Sequence, residues 1–203
     1  MNQEKVWNKI AESWITSRKQ GFPEVPKFLK NKKGRILDIG CGNCRYLLVA
    51  NKKGNELYGI DFSSEMLKIA KEYCQEHNMK VNLKKADVAK LPFPDNFFDV
   101  IICVAVLHII EKGKIEKPLA EIKRVLKPGS LALIAVWYKH EKGEKLKSWF
   151  KKFEGKKIFR YYYFFDENEL KDKIIKSGLE VTKFYISGWK NRKNLFFEVQ
   201  KPL

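Results

Sequence analysis

Three acidic residues in this sequence stand at the ends of strand-like runs, and the first opens onto two glycines: Ile36-Leu37-Asp38-Ile39-Gly40-Cys41-Gly42. Glycines at a strand-to-helix turn let the backbone approach a ligand at a distance that a Cβ would forbid. Asp61, twenty-one residues after Gly40, stands where an acidic side chain can accept both hydroxyls of a ribose. Asp87, at the end of a third run, would by position face an adenine amino group. A single strand-end Asp is as readily a turn residue. Three in register with one glycine loop point instead to a nucleotide-type ligand. Two ligands compete. The dinucleotide fingerprint requires Gly or Ala three residues beyond its second glycine, and this chain has Arg45 there. Asp38, just before the glycines, suits a cationic aminoacyl group better than a pyrophosphate. A further polar residue, His108, lies in the apolar run 100–110 beyond a fourth strand, where it reads more readily as a substrate contact than as a core histidine.

Positioning these residues requires strands whose carboxyl ends meet. The apolar spacing predicts an amphipathic helix over 2–19, with Val6, Ile10 and Trp14 on one stripe and Trp7 beside it. Pro23 and Pro26 break it, and Phe28-Leu29 begin a short helical link. Strands are predicted at 35–39, 56–60, 81–85, 98–104 and 131–137. Helices are predicted at 44–51, from Ser63 or Ser64 (as cap) to His77, and at 115–126, where Lys127-Pro128-Gly129 ends the pattern. Two further helices, near 144–153 and 167–177, precede closing strands at 180–187 and 195–200. With right-handed crossovers this order makes an α/β, doubly wound, seven-stranded Rossmann-like sheet. It is mostly parallel, with one antiparallel C-terminal strand. The chain reads as a single domain over 1–203, with an N-terminal helical cap at 1–34 and a basic aromatic insert at 139–165.

The net charge of +17 is unevenly placed. Residues 1–35 carry nine Lys/Arg against three Asp/Glu, residues 139–203 seventeen against nine, and the middle fifteen against twelve. Basic flanks around a nearly balanced core are the footprint of a polyanionic partner. A lysine-rich surface of thermophilic type gives charge without such a partner, but segregation to the flanks favours RNA. The four cysteines, Cys41, Cys44, Cys74 and Cys103, form no disulfide framework in a chain of this size. Cys41 and Cys44 make one C-x-x-C, but no second pair or paired histidines complete a metal site, so no metal is expected. No apolar segment precedes the first helix, and the run 100–110 is too short to span a bilayer. The expected location is the cytoplasm, away from any membrane.

The glycine stretch resembles motif I of the class I methyltransferases that use S-adenosyl-L-methionine (SAM). Within that superfamily the chain resembles the tRNA wobble-uridine carboxymethyl methyltransferases, including the methyltransferase half of the AlkB-type tRNA fusion. The resemblance covers nearly the full length. It is carried by Trp7-Asn8-Lys9-Ile10-Ala11 with Arg18, by the glycine stretch through Asn43 with Tyr46-Leu47, and by Gly59-Ile60-Asp61. Ala86-Asp87 with Leu91-Pro92, Ala105-Val106-Leu107-His108 and Arg160-Tyr161-Tyr162 extend it. In two places the chain departs from the family: Cys44 replaces the usual third glycine, and Tyr163 stands where His is common.

The resemblance implies SAM as cofactor, held by Asp38, Gly40, Cys41, Gly42, Asp61, Asp87 and Val104. It implies esterification of a carboxymethyl group on uridine-34 of tRNA. Arg18, His108, Arg160 and Tyr161 would contact and orient the substrate. A carboxylate is already nucleophilic, so catalysis is mainly positioning, and a guanidinium holds a carboxylate in a bidentate grip. The resemblance further implies a small zinc-binding activator protein adding a strand at the edge run 81–85. A small-molecule methyltransferase of the quinone or lipid-precursor kind shares the cofactor motifs and is the competing reading; a non-catalytic SAM-fold module is the third.

Overall fold

The computed structural model describes residues 2–18, 20–139, 143–150, 157–189 and 192–203. Helix α1 (Gln3–Ser17) starts where Asn2 Oδ1 accepts a hydrogen bond from the Lys5 amide at 3.1 Å. Its buried face is Trp7, Ile10 and Ala11, so Trp7 takes the place on the stripe predicted for Val6. The elements α2 (Glu24–Leu29), β1 (Arg35–Ile39), β2 (Glu56–Asp61), α3 (Ser64–Glu76), β3 (Val81–Lys85) and β4 (Phe98–Val104) follow. Then come α4 (Glu116–Val125), β5 (Leu126–Tyr138), β6 (Gly143–Phe150), β7 (Lys157–Phe164), α5 (Glu167–Lys176), β8 (Glu180–Trp189) and β9 (Arg192–Gln200). Ser63 caps α3 as predicted, its Oγ accepting from the Met66 amide at 3.1 Å. Among the described residues no helix is long and apolar enough to cross a membrane.

Seven strands form one sheet in the order β3-β2-β1-β4-β5-β9-β8. β1 pairs in parallel with both β2 and β4, while β9 runs antiparallel to both its neighbours. It is the one reversed strand that the sequence predicts. Successive side chains of β1 leave on opposite faces: Leu37 and Ile39 enter one apolar cluster with α4 and α5, and Ile36 enters another with α2 and the segment after the glycines. Both faces are covered, which is why the central strands read as continuous apolar runs. The carboxyl ends of β1, β2 and β3 therefore open onto one rim, and Asp38, Asp61 and Asp87 come with them.

Three predicted elements are different in the structure. Residues 44–51 do not form an α-helix; Arg45–Ala50 is a 3-10 helix. Cys44 begins it in the left-handed region, at φ 62°, the conformation the usual glycine supplies without strain. The helix predicted near 144–153 is strand β6, paired antiparallel with β7 in a separate two-stranded sheet; residues 151–153 lie outside the described residues. Its alternation sends Lys145 and Lys147 to one face and Leu146 to the other, and the long-range partner decides in favour of a strand. Strand β5 also begins at Leu126, ahead of its predicted start, and runs through Lys127-Pro128-Gly129.

Candidate active site

The loop after β1 is shaped by backbone that only glycine tolerates well. Gly40 has φ +67°, and a Cβ there would lie 2.3 Å from Val106 Cγ2. The Cys41 amide donates to the Ile60 carbonyl at 2.9 Å, which ties the loop to the end of β2. Asp61 fixes the rest: Oδ2 accepts from the Gly42 amide at 3.1 Å and Oδ1 from the Ser63 amide at 2.9 Å. A crevice of about 570 Å³ opens in front, lined among others by Gly40, Asp61, Phe62, Asp87, Val106 and Ile109. Asp38, Cys41, Gly42 and Val104 are not on its walls. Asp87 is exposed and also accepts from the Ala89 amide at 2.8 Å, so it serves as a turn residue as well.

Asp38 lies beneath the loop, 2% exposed, with Oδ2 lacking a hydrogen-bond partner. Burial pushes its carboxyl well above the usual range; the nearby Asp61 adds to this and Arg45 opposes it. Burial also raises Asp61, to about 6, against the pull of the Ser63, Gly42 and Phe62 amides. Two crowded, desolvated carboxylates beside a glycine cradle are a site prepared for a cation and a polar hydroxylated group. Behind the loop, Gly59 makes room for sulfur: a Cβ there would meet Cys41 Sγ at 3.1 Å and Cys44 Sγ at 3.2 Å. The C-x-x-C is thus packing beneath the loop.

A second group forms beside the crevice. His108 lies between Val106 and Ile109, both of which line the crevice, and is 1% exposed. Its Nδ1 accepts from the Trp137 amide at 3.2 Å, and its ring stacks on Trp137 at 5.0 Å and Tyr162 at 5.5 Å. Burial lowers its pKa to about 3, with Lys147 and Arg160 pushing the same way. The imidazole is therefore neutral at pH 7, with its proton on Nε2, a donor and not a base. The Arg18 guanidinium sits 4.6 Å from the Trp14 ring centre and 5.1 Å from that of Trp137. Arg160 lies 4.8 Å from Trp14 and 5.1 Å from Tyr162, and hydrogen-bonds the Tyr162 hydroxyl. Such cation–π contacts hold a guanidinium without neutralising it.

The structure brings Arg18, His108 and Arg160 together but leaves Tyr161 outside. Tyr161 is on the other face of β7, where its hydroxyl donates to Glu144 at 3.1 Å and accepts from the Lys112 amide at 3.3 Å. Tyr162 takes the place beside His108, as alternation along a strand requires. Tyr163, back on the face of Tyr161, donates to both Glu169 oxygens at 3.0 Å. Sequence reasoning missed Trp137, Lys147 and Arg45. Arg45 donates to the Arg18 carbonyl, and through Nε to Asn43 at 3.0 Å, so it links the glycine loop to the end of α1. Its one visible sign was the misfit with the dinucleotide fingerprint.

Residues 36–129 match a family model described as a methyltransferase domain. Those residues carry a SAM-dependent methyltransferase domain. The chain is 34% identical over 136 residues to the Arabidopsis thaliana tRNA (carboxymethyluridine(34)-5-O)-methyltransferase, covering 66% of this chain and 32% of that protein. It spans about a third or less of the relatives of this kind that it matches. A putative methyltransferase from Encephalitozoon cuniculi is 26% identical over 194 residues, covering 87% of this chain and 86% of that one. Among solved structures, a SAM-dependent methyltransferase from Methanosarcina mazei superposes with a TM-score of 0.77 at 22% identity, over 91% of this chain and 99% of that one. A Burkholderia thailandensis N-methyltransferase with bound S-adenosylhomocysteine superposes at 0.73, with 16% identity, over 100% and 92%. A putative methyltransferase in complex with the Haloferax volcanii Trm112 activator superposes at 0.71, with 16% identity, over 100% and 99%. These likenesses establish the fold.

SAM is the cofactor of this domain, and the residues present fit it. Gly40, Asp61 and Asp87 line one crevice, and the unpartnered oxygen of Asp38 behind it is the acceptor that a cationic aminoacyl end requires.

Proposed function

We propose that this protein transfers a methyl group from SAM to a carboxylate, forming the methyl ester of 5-carboxymethyluridine at the tRNA wobble position. The observation that carries the reading is the meeting of Arg18, Arg160 and a neutral His108 on the Trp14–Trp137–Tyr162 wall, next to the cofactor crevice. Cations above aromatic faces suit an acceptor that is both planar and anionic. The relatives named tRNA carboxymethyluridine methyltransferases support it.

The cofactor supplies a methyl carbon activated on a sulfonium. On this reading Asp38 holds the aminoacyl end, Asp61 the ribose and Asp87 the adenine edge. Arg18 and Arg160 grip the acceptor carboxylate, and His108 offers its Nε2 proton to a carbonyl or carboxylate oxygen of the substrate. No proton needs to be removed, because the attacking oxygen is already an anion. The neutral imidazole agrees with this economy: His108 orients and does not abstract.

The basic flanks would carry the tRNA; Lys151, Lys152 and Lys156, in the sequence between β6 and β7, lie outside the described residues. An activator protein that adds a strand would use β3, the sheet edge, where Asn82, Lys84 and Lys85 are exposed. Those side chains work against pairing, and full activity of the monomer on tRNA in gel-filtered fractions would remove the partner. The substrate reading is tested with labelled SAM and tRNA carrying either uridine or 5-carboxymethyluridine at position 34. Label transfer to the second and not the first is expected; equal transfer, or transfer to neither, overturns it.

A further inference from the structure

The strand misread as helix carries one more cation into the wall. Lys147 of β6 pairs across the hairpin with Arg160, so both side chains leave on the face that looks at Trp137 and Tyr162. Its ammonium lies 4.7 Å from the Phe164 ring centre, 5.8 Å from that of Tyr162 and 5.9 Å from that of Trp137. Among the described residues, the charged neighbours that act on it most strongly are Lys139 just past β5, Arg160 of β7 and Arg18 just past α1. The titratable His108 and Tyr162 face the same space, with His108 feeling Lys147 and Arg160 directly.

We propose that Lys147 completes, with Arg18 and Arg160, an anion site over Trp137, and that it is a specificity-determining residue that binds the carboxylate of the methyl acceptor. The inference rests on the proposed carboxylate chemistry. Gathering like charges over apolar rings is costly unless an anion joins them. The cation–π contacts recover only part of that cost. The strain is visible in the ammonium itself: burial, then Lys139, Arg160 and Arg18, lower its pKa to about 8. An incoming carboxylate would restore the charged form. A surface lysine kept merely for solubility would have no reason to stand among other cations.

The test is calorimetric binding to the full chain with SAM's product, S-adenosylhomocysteine, present. The probes are 5-carboxymethyluridine, uridine, phenylacetate (a planar ring with the same carboxymethyl arm) and inorganic phosphate. Lys147→Met should weaken both carboxylate probes tenfold or more at pH 7, the range of one charge-assisted hydrogen bond. Lys147→Arg should keep them bound. Wild-type affinity for the carboxylates should fall several-fold from pH 7 to pH 9 as Lys147 loses its proton, and this limb should vanish in Lys147→Arg. Affinity for S-adenosylhomocysteine should be the same in all three. If phenylacetate binds in a Lys147-dependent way and 5-carboxymethyluridine does not bind, the anion site stands and the uridine reading falls. The proposal is overturned if Lys147→Met binds the carboxylates as the wild type does, if neither carboxylate binds, or if only phosphate depends on Lys147.

Discussion

Asp61→Asn separates the electrostatics of the loop from its packing, because the side chain keeps its shape and one acceptor oxygen. The native carboxyl titrates at about 6 against an ordinary value of 3.8. Below pH 3.8 folded and unfolded chains both hold the proton, and the shift has no effect. Between 3.8 and 6 the folded state retains a proton that the unfolded chain has lost, so this group's contribution falls as the pH rises. Above pH 6 the loss is complete, at about 3 kcal/mol. Asp38 is raised as well and acts in the same direction. Removing the Asp61 charge also relieves Asp38, whose shift Asp61 enlarges. The pull of the Ser63, Gly42 and Phe62 amides is already contained in that shift, and below pH 6 the folded side chain is itself uncharged, so in acid no charge-assisted bond is lost. Urea denaturation of the apoprotein should therefore show the variant gaining on the wild type by about 2 kcal/mol between pH 4.5 and pH 7. SAM affinity at pH 7.5 should fall about tenfold or more with the ribose contact weakened. Parallel stability-against-pH curves for the two proteins would refute the reasoning, whatever their absolute separation.

Gly40→Ala should abolish SAM binding, because its Cβ meets Val106 Cγ2 and its φ of +67° is strained for alanine; Val106→Ala in the same chain should recover part of the folding loss, as read by thermal melting. His108 should show neutral-imidazole NMR shifts down to pH 5, since its pKa is lowered to about 3. Being lowered, it adds stability above pH 6.5 that is lost as the pH falls toward 3. Arg124→Ala removes bonds to Glu121, Asp95 and the Phe93 and Leu91 carbonyls. It should cost about 2 kcal/mol in urea denaturation.

What the sequence reveals here is what local chemistry determines. The strand ends at Asp38, Asp61 and Asp87, the Ser63 cap and the reversed last strand all follow from short patterns of glycine, acid and apolar alternation. Their meeting on one rim then follows from crossover handedness. The hairpin is harder to read because 144–153 mixes lysines with Leu146, Trp149 and Phe150, a pattern that a helix face and a strand can both satisfy. The partner strand that decides lies several residues later. That misreading carries the rest with it. Read as a strand, β7 places Arg160 and Tyr162 on one face and Tyr161 on the other, and β6 delivers Lys147 to the same wall. Trp137 ends a buried strand and offers no local sign of its role, since only tertiary packing brings His108 beneath it.

The central claim is that the methyl group ends on a carboxylate oxygen. The most direct measurement incubates the protein with labelled SAM and tRNA bearing 5-carboxymethyluridine, digests the RNA to nucleosides, and follows the label by mass spectrometry before and after mild alkali. The account predicts a labelled methyl ester at the wobble uridine that alkali returns to 5-carboxymethyluridine with loss of labelled methanol. An alkali-stable methyl on nitrogen, carbon or a ribose oxygen, or no transfer from a protein that binds SAM, would contradict it.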